Sequence, residues 1–245
     1  MSVPHPVTLT IPVSASMHGR NGTFFHTDLW LQNCSWSYPV SVSLRHRCLT
    51  GQNCGSTSGQ ITLAPRQTKL SEDVINLLFG DGETAGPIEL TYDASYGHVA
   101  VASRLYTASG PAGTYGTTIP AYSPSDARMR TSFLGLGDGD GKLASGFRAN
   151  AGAYNPSATD AATVTFTLYG SDGSVIGSPY TGTWQPNEAI QLNDVFGAMG
   201  AGGKVTKNTT LVVTSTLPVF SYVTVMDNQS GDSSFLIASN DDVAP

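Results

Sequence analysis

The chain has 245 residues, and charged side chains make up 12% of them, about half of the usual share in a soluble globular protein. Its formal net charge is -6, and the few Lys and Arg residues are scattered along the sequence. Binding to nucleic acid requires a concentrated basic surface, so we expect no nucleic-acid partner. No apolar stretch approaches the roughly 18 residues of a membrane span, so we expect no membrane insertion.

The first predicted element is a strand over residues 7–13, which follows a proline-flanked lead. The lead lacks a basic start followed by an apolar run, so we expect no secretion signal within it. A mobile lead would let this strand add to the sheet edge of a neighbouring molecule. The sequence is therefore compatible with a subunit that assembles with itself through an N-terminal donor strand.

The second predicted strand, residues 25–32, alternates with period two, as does the third, residues 40–45. In the second strand we assign Leu29 and Leu31 to the core. Trp30 then lies on the opposite face, beside His26 and Asp28. An exposed indole next to polar groups is a surface on which sugar rings stack and form hydrogen bonds.

All three cysteines lie in the first half of the chain. Cys48 ends the third strand and Cys54 follows a short turn, so we favour a disulfide across this hairpin loop, which would imply an oxidising compartment. Cys34 lies at the other end of that strand, beyond the roughly 7 Å that bridged Cα atoms allow. The alternative is a zinc site formed by His46, Cys48, Cys54 and a fourth ligand, although the spacing matches no familiar zinc motif.

Each half of the chain contains one short helical candidate. The first spans residues 71–79, with Ser71 as its N-cap and Gly80 as its stop. The second spans residues 193–199 and is closed by Gly200. Strands and turns account for the rest of the pattern.

The string at residues 138–142 places Asp138 and Asp140 at alternate positions, as at the start of a calcium loop. The later ligands of such a loop are missing, including its closing glutamate. Ordinary turn chemistry explains the same string, and we favour a turn. The expectation is therefore no cofactor, with calcium bound by Asp138 and Asp140 as the alternative.

The sequence repeats itself. A shift of about 122 residues lays residues 8–47 over residues 130–169 without a gap. Within this match, residues 25–33 fall on residues 147–155, and the strands keep the same phase. We infer one module present in two tandem copies.

Strands of about five to eight residues, separated by Gly, Asn, Ser and Pro clusters, predict an all-β fold. With about seven strands in each copy, we expect two tandem immunoglobulin-like β-sandwich domains that arose by internal duplication, each with one short helical turn. The copies are assigned to residues 1–122 and 123–245, because residues 123–126 have the composition of a linker.

Two interpretations remain open for the face that carries Trp30. In the first, a ligand binds to the side chains of Trp30, His26, Asp28, Arg104 and Tyr106. In the second, this face is an interface between the two copies or between neighbouring chains. The second is supported by the strands at residues 99–106 and 219–226, because both are largely apolar on each face and so should be covered on each.

We expect no enzyme. The sequence contains no Gly-x-Ser-x-Gly nucleophile elbow, no His-Glu-x-x-His zinc motif and no phosphate-binding glycine loop. The histidines are also not shared by the copies, since His26 aligns with Arg148 and His46 aligns with Leu168. A secreted hydrolase that uses one copy is retained as the third function.

Four strings, at residues 22–33, 61–65, 103–106 and 113–116, together resemble a class of uncharacterised tandem β-sandwich repeat modules of secreted bacterial proteins. Modules of this class are sometimes appended to extracellular enzymes. The resemblance implies export and a surface or accessory role, but it transfers no activity and no site residues.

The leading functional prediction is thus a non-catalytic extracellular or cell-surface binding or adhesion protein, with a glycan or a surface polymer as its ligand. It depends on the duplicated sandwich, the low charge and the exposed aromatic residues. The alternative is a self-assembling filament or surface-layer subunit that uses the N-terminal donor strand.

Overall fold

A computed structural model describes residues 4–19, 22–55, 57–108, 113–137, 146–203 and 208–240. Across these ranges the chain is all-β, as the sequence predicts, with sixteen strands and two short α-helices. The first half contains β1 (Pro6–His18), β2 (Phe24–Asn33), β3 (Val40–His46), β4 (Ser58–Leu63), β5 (Thr68–Ser71), α1 (Val74–Phe79), β6 (Thr84–Asp93), β7 (Val99–Ala108) and β8 (Thr114–Ile119). The second half contains β9 (Arg128–Leu136), β10 (Phe147–Tyr154), β11 (Ala162–Tyr169), β12 (Val175–Trp184), β13 (Ala189–Leu192), α2 (Val195–Ala198), β14 (Thr209–Asp227), β15 (Ser233–Leu236) and β16 (Ser239–Asn240).

The strands of the first half form one sheet in the order β4-β3-β6-β1-β2-β7-β8, with β5 added to β2. The sheet folds over at β1, whose residues 6–16 pair with β6 whereas Met17 and His18 pair with β2. Leu90 of β6 and Leu29 of β2 belong to one buried core cluster. The two parts of the sheet therefore pack face to face in a sandwich-like arrangement.

The second half forms a sheet in the order β12-β11-β14-β10-β13, which also carries β9, β15 and β16. Here β14 is the strand at which the sheet folds over. Its first part, residues 209–215, pairs with β9 and β11, and its second part, residues 220–227, pairs with β10 and β15. Phe166 of β11 and Val223 of β14 share a second core cluster.

The helices begin later than the sequence predicts. Ser71 is not an N-cap: it is the last residue of β5 and pairs with Leu29. The N-cap of α1 is Asp73, in the left-handed region at φ 43°, and the C-cap is Gly80 at φ 68°. Serine is a favoured N-cap, which is why the sequence predicted that role for Ser71. Pairing with Leu29 instead keeps the backbone of Ser71 extended.

Neither helix of the described chain has the length and apolarity that crossing a lipid bilayer demands.

The two halves pack against each other through a third buried cluster, which includes Tyr154 and Phe220 of the second half. Leu49 and Tyr122 of the first half pack against this cluster. The backbone continues the contact, because the amide of Thr50 donates a 2.9 Å hydrogen bond to the carbonyl oxygen of Ala189. Polar and apolar contacts thus join the halves directly.

Candidate functional site

The five side chains predicted to bind a ligand lie together on the outer face of the first sheet, and we call this surface the Trp30 face. Its members are Trp30, His26, Asp28, Arg104 and Tyr106, all of them half-buried. Trp30 lies between Leu70 of β5 and Ala102 of β7 in the strand register. The side chains on either side of Trp30 in β2, Leu29 and Leu31, point into the core. Ala102 is small, so the sheet leaves room beside the indole.

Asp28 is the polar centre of the Trp30 face. Its Oδ1 accepts a 3.0 Å hydrogen bond from the backbone amide of Asp73 and a 3.3 Å hydrogen bond from the Tyr106 hydroxyl. Arg104 lies directly opposite Asp28 in the register of β2 and β7. Its guanidinium sits 5.1 Å from the centre of the Tyr106 ring and donates to Oγ1 of Thr114 at 2.6 Å. These contacts fix the polar groups before any ligand arrives.

His26 connects the Trp30 face to α1. Its Nδ1 lies 3.2 Å from Oδ2 of Asp73, the N-cap residue, and the same oxygen accepts a 3.1 Å hydrogen bond from Ser16. The His26 ring also packs against Phe24 and Tyr106, with ring centres 4.7 and 5.6 Å away. The imidazole is thus held between aromatic rings and a carboxylate.

Burial raises the pKa of the Tyr106 phenol, and the negative charges of Asp28, Asp73 and Glu72 raise it further. Tyr106 therefore remains a neutral phenol at physiological pH. A neutral phenol can donate a hydrogen bond as well as accept one. Tyr106 here donates to Asp28.

Asp73 is the member of the site that sequence reasoning missed. It follows β5, well beyond β2 in sequence, and comes next to Asp28 only because β5 pairs with β2. A sequence signal existed, since Asp73 aligns with Asp194 in the repeat. The amide of Asp194 likewise donates to Oδ1 of Asn150, the residue that aligns with Asp28.

The corresponding face of the second half is covered. Tyr154, Phe220 and Tyr222 are at most 4% exposed, and they pack against the first half. The Tyr154 hydroxyl donates a 2.7 Å hydrogen bond to Oε1 of Glu89 in β6. The interface interpretation therefore applies to this face, whereas the Trp30 face remains accessible.

At the place in the sheet where Trp30 lies, the large aromatic ring is supplied by a different strand in each half. In the first half, Trp30 of β2 pairs with the small Ala102 of β7. In the second half, Gly152 of β10 pairs with Tyr222 of β14, and a Cβ on Gly152 would collide with the Tyr222 ring. Each pair therefore combines one large ring with one small residue.

A cavity of about 320 Å³ lies between the two halves. The first half contributes apolar side chains, including Met17, Phe25 and Leu105. The second half contributes polar groups, which include Arg148, Asn150, Gln191 and Asn193. Sequence reasoning could not find this cavity, because it depends on how the halves are placed.

A second cavity of about 330 Å³ adjoins the first, since Arg148 lines both. Phe24 and His26 also line the second cavity, together with Asp227 and Ser230 of the second half. His26 consequently belongs both to the Trp30 face and to the wall of a cleft between the halves. A ligand longer than one ring could contact both places.

The predicted disulfide is confirmed: Cys48 and Cys54 are bridged, with their Cα atoms 6.1 Å apart. Cys34 is free among the cysteines, all of which the structure describes. The calcium alternative at Asp138 and Asp140 lies outside the described residues.

The chain matches no protein-family model and no curated protein.

Proposed function

We propose that the chain is a non-catalytic extracellular or cell-surface binding or adhesion protein that holds a glycan or another neutral surface polymer on the Trp30 face. The observation that carries this proposal is the half-buried indole of Trp30 on the outer face of the sheet, beside Asp28 and Arg104, which lie opposite each other in the strand register. Polar groups held in place by the protein lose little conformational entropy on binding.

A sugar ring suits this surface for two reasons. The axial C–H groups of a pyranose form an apolar patch that stacks on an aromatic ring, and Trp30 offers such a ring beside Leu70 and Ala102. Sugar hydroxyls both donate and accept hydrogen bonds, so they match the carboxylate of Asp28 and the guanidinium of Arg104. Asp28 and Arg104 carry charges of opposite sign, so the surface has no net charge that would select an ionic ligand, and a neutral ligand is favoured.

A chain of several sugars would extend from Trp30 past His26 into the cleft between the halves. The adjoining cavity, which meets this cleft at Arg148, carries on one wall the amides of Asn150, Gln191 and Asn193, which are typical partners of hydroxyl groups. Apolar side chains of the first half, among them Phe25, line the other wall. We therefore favour a polymer over a single sugar.

We further propose that residues 1–122 and 123–245 are immunoglobulin-like domains that arose by duplication. Asn33 supports this proposal: its Nδ2 donates to the carbonyl oxygens of Tyr38, Leu63 and Ala64, and its Oδ1 accepts from the amide of Ser35. Asn155 makes the same set of bonds, with Asp160, Trp184, Gln185 and Ser157. Each partner aligns with its counterpart in the repeat.

Export to an oxidising compartment is part of the same proposal. It is supported by the bridge between Cys48 and Cys54, because disulfides persist mainly outside the reducing cytosol. The resemblance to modules of secreted bacterial proteins points the same way.

The test is binding to a panel of polysaccharides, by pull-down and by a glycan array, with Trp30→Ala as the diagnostic variant. We expect at least about tenfold weaker binding for Trp30→Ala, which corresponds to ~1.4 kcal/mol. Trp36→Ala is the matched control, because Trp36 is a 79% exposed indole outside the Trp30 face. Absence of binding to every polymer, or equal binding by the wild type and Trp30→Ala, would refute the proposal.

Self-assembly through a donor strand is the alternative. The predicted donor, residues 7–13, lies within β1, and β1 pairs with β6 of its own chain from Pro6 to Ser16. Donation to another molecule would have to exchange these hydrogen bonds. The binding function needs no such exchange, so the geometry favours it. The secreted hydrolase stays a prediction from the sequence.

A further inference from the structure

Four potential metal ligands meet at one end of the first sheet, and we call them the His46 cluster. They are His46, Cys48, Cys54 and Asp81, whose ligand atoms all lie within 4.8 Å of one another. Zinc bond lengths of about 2.0–2.3 Å place the ligand atoms of a tetrahedral site about 3.3–3.8 Å apart. The cluster thus approaches the dimensions of a zinc site.

The surrounding fold holds two of these ligands rigidly. The side chains of His46 and Asp81 are 0% and 1% exposed, and Nδ1 of His46 lies 3.4 Å from Oδ2 of Asp81. The other carboxylate oxygen of Asp81 accepts a hydrogen bond from the amide of Gly55. The ring of Phe79 stacks on His46, with centres 5.5 Å apart. Such supporting contacts orient the ligands of natural metal sites.

One ring nitrogen of His46 has no hydrogen-bond partner among the residues that the structure describes. Nε2 of His46 is buried and makes no hydrogen bond to any residue that the structure describes. Buried polar atoms are nearly always paired, so an unpaired ring nitrogen needs an explanation.

The second half indicates that the fold does not require polar groups at this place. His46 and Cys48 align with Leu168 and Gly170, and Asp81, which follows Gly80, aligns with Ala201, which follows Gly200. Leu168 and Ile176 face each other across β11 and β12. The amide of Ala201 donates to Phe196 just as the amide of Asp81 donates to Ile75, which supports the alignment. Metal-binding side chains in the first half, at positions where the second half has none, suggest a specific role.

We propose that His46, Cys48, Cys54 and Asp81 bind one zinc ion when the two cysteines are reduced, and that the Cys48–Cys54 disulfide is the metal-free, oxidised state of the same site. Thiolate, imidazole and carboxylate ligands in tetrahedral geometry are typical of zinc. The two states exclude each other, because the sulfur atoms of a disulfide are about 2.0 Å apart and cannot both act as thiolate ligands.

The chemistry that connects the two states is balanced. A dithiol reductant breaks the S–S bond, yields the thiols of Cys48 and Cys54, and is itself oxidised to a disulfide. Zn²⁺ then binds to both sulfur atoms, and the two thiol protons are released to solvent. In the reverse direction, a disulfide oxidant accepts two electrons from the thiolates and is itself reduced to a dithiol. The bond between Cys48 and Cys54 forms again, and Zn²⁺ is released. This switch is independent of the Trp30 face.

The test uses the full chain with Cys34→Ser, which removes the one cysteine outside the cluster. Isothermal titration of Zn²⁺ into oxidised and reduced protein measures stoichiometry, and Co²⁺ serves as a spectroscopic probe. We expect one Zn²⁺ per reduced chain and none per oxidised chain. Co²⁺ should give thiolate-to-metal absorption together with the visible bands of tetrahedral cobalt.

His46→Leu and Asp81→Ala are the diagnostic variants, because the second half carries Leu168 and Ala201 at the aligned positions. Each should weaken zinc binding by about 100-fold or more while the oxidised protein keeps its β-sheet circular dichroism. Equal zinc binding by oxidised and reduced protein would overturn the proposal. So would unchanged affinity in both variants, failure of the reduced protein to bind zinc, or binding that accompanies loss of the β-sheet signal.

Discussion

The hydroxyl of Tyr154 donates a 2.7 Å hydrogen bond to Oε1 of Glu89 and so joins the two halves of the chain. Tyr154 is fully buried, and Oε2 of the same glutamate accepts a 3.0 Å hydrogen bond from Nε of Arg47. Burial and the charge of Glu89 together raise the pKa of Tyr154, so the phenol keeps its proton. One carboxylate is therefore held by both halves.

Tyr154→Phe should lower the free energy of unfolding by about 2 kcal/mol, because it removes a buried hydrogen bond to a charged acceptor. Urea denaturation followed by fluorescence and circular dichroism measures the change. Tyr115→Phe, at an exposed position in β8, is the control and should change stability by less than about 0.5 kcal/mol. Equal stability of the two variants would contradict this account of the interface.

Gly152→Ala should destabilise the protein by about 1–3 kcal/mol, since the new methyl group meets the fully buried Tyr222 ring. Gly82→Ala is the matched control, because a Cβ there meets no atom within 4 Å. Thermal unfolding of both variants provides the measurement. If Gly152→Ala were as stable as Gly82→Ala, the Tyr222 ring could not be fixed in its place.

Asn33→Ala and Asn155→Ala should each cost about 2–4 kcal/mol, because either change leaves buried carbonyl oxygens without a donor. If the two asparagines are equivalent parts of a repeat, the two losses should be similar. Chemical denaturation of both variants measures them, with Asn76→Ala on the exposed side of α1 as a control. A loss in only one variant would count against the duplication.

The stability of the oxidised protein should fall at mildly acidic pH because of His46. Burial is the main cause that lowers its pKa from 6.5, while the hydrogen bond to Asp81 opposes the shift. Below pH 6.5, His46 therefore binds a proton in the unfolded chain but stays neutral in the folded protein. The resulting stability is fully present above that pH and is lost as the pH falls toward the folded pKa.

His46→Leu removes this contribution. We expect the wild type to lose stability relative to His46→Leu by at most about 1.4 kcal/mol per pH unit below pH 6.5, as measured by denaturation at several pH values. Parallel profiles for the two proteins in that range would show that burial does not shift the titration of His46.

The sequence alone predicted the features that depend on local period and local reach. Alternation in β2 placed Leu29 inside and Trp30 outside, because successive residues of any strand point to opposite faces. The short turn between Cys48 and Cys54 likewise allowed their bridge to be predicted. Both inferences need only the geometry of a few consecutive residues.

The tertiary structure decided which distant residues meet. Asp73 joins the Trp30 face, and Asp81 completes the His46 cluster. Tyr222 of β14, which pairs with Gly152, supplies the ring at the place where Trp30 of β2 lies in the first half. Strand register and the packing of one half on the other set these contacts. A period of two in the sequence fixes the face on which a side chain lies, but only the folded chain determines what lies opposite that face.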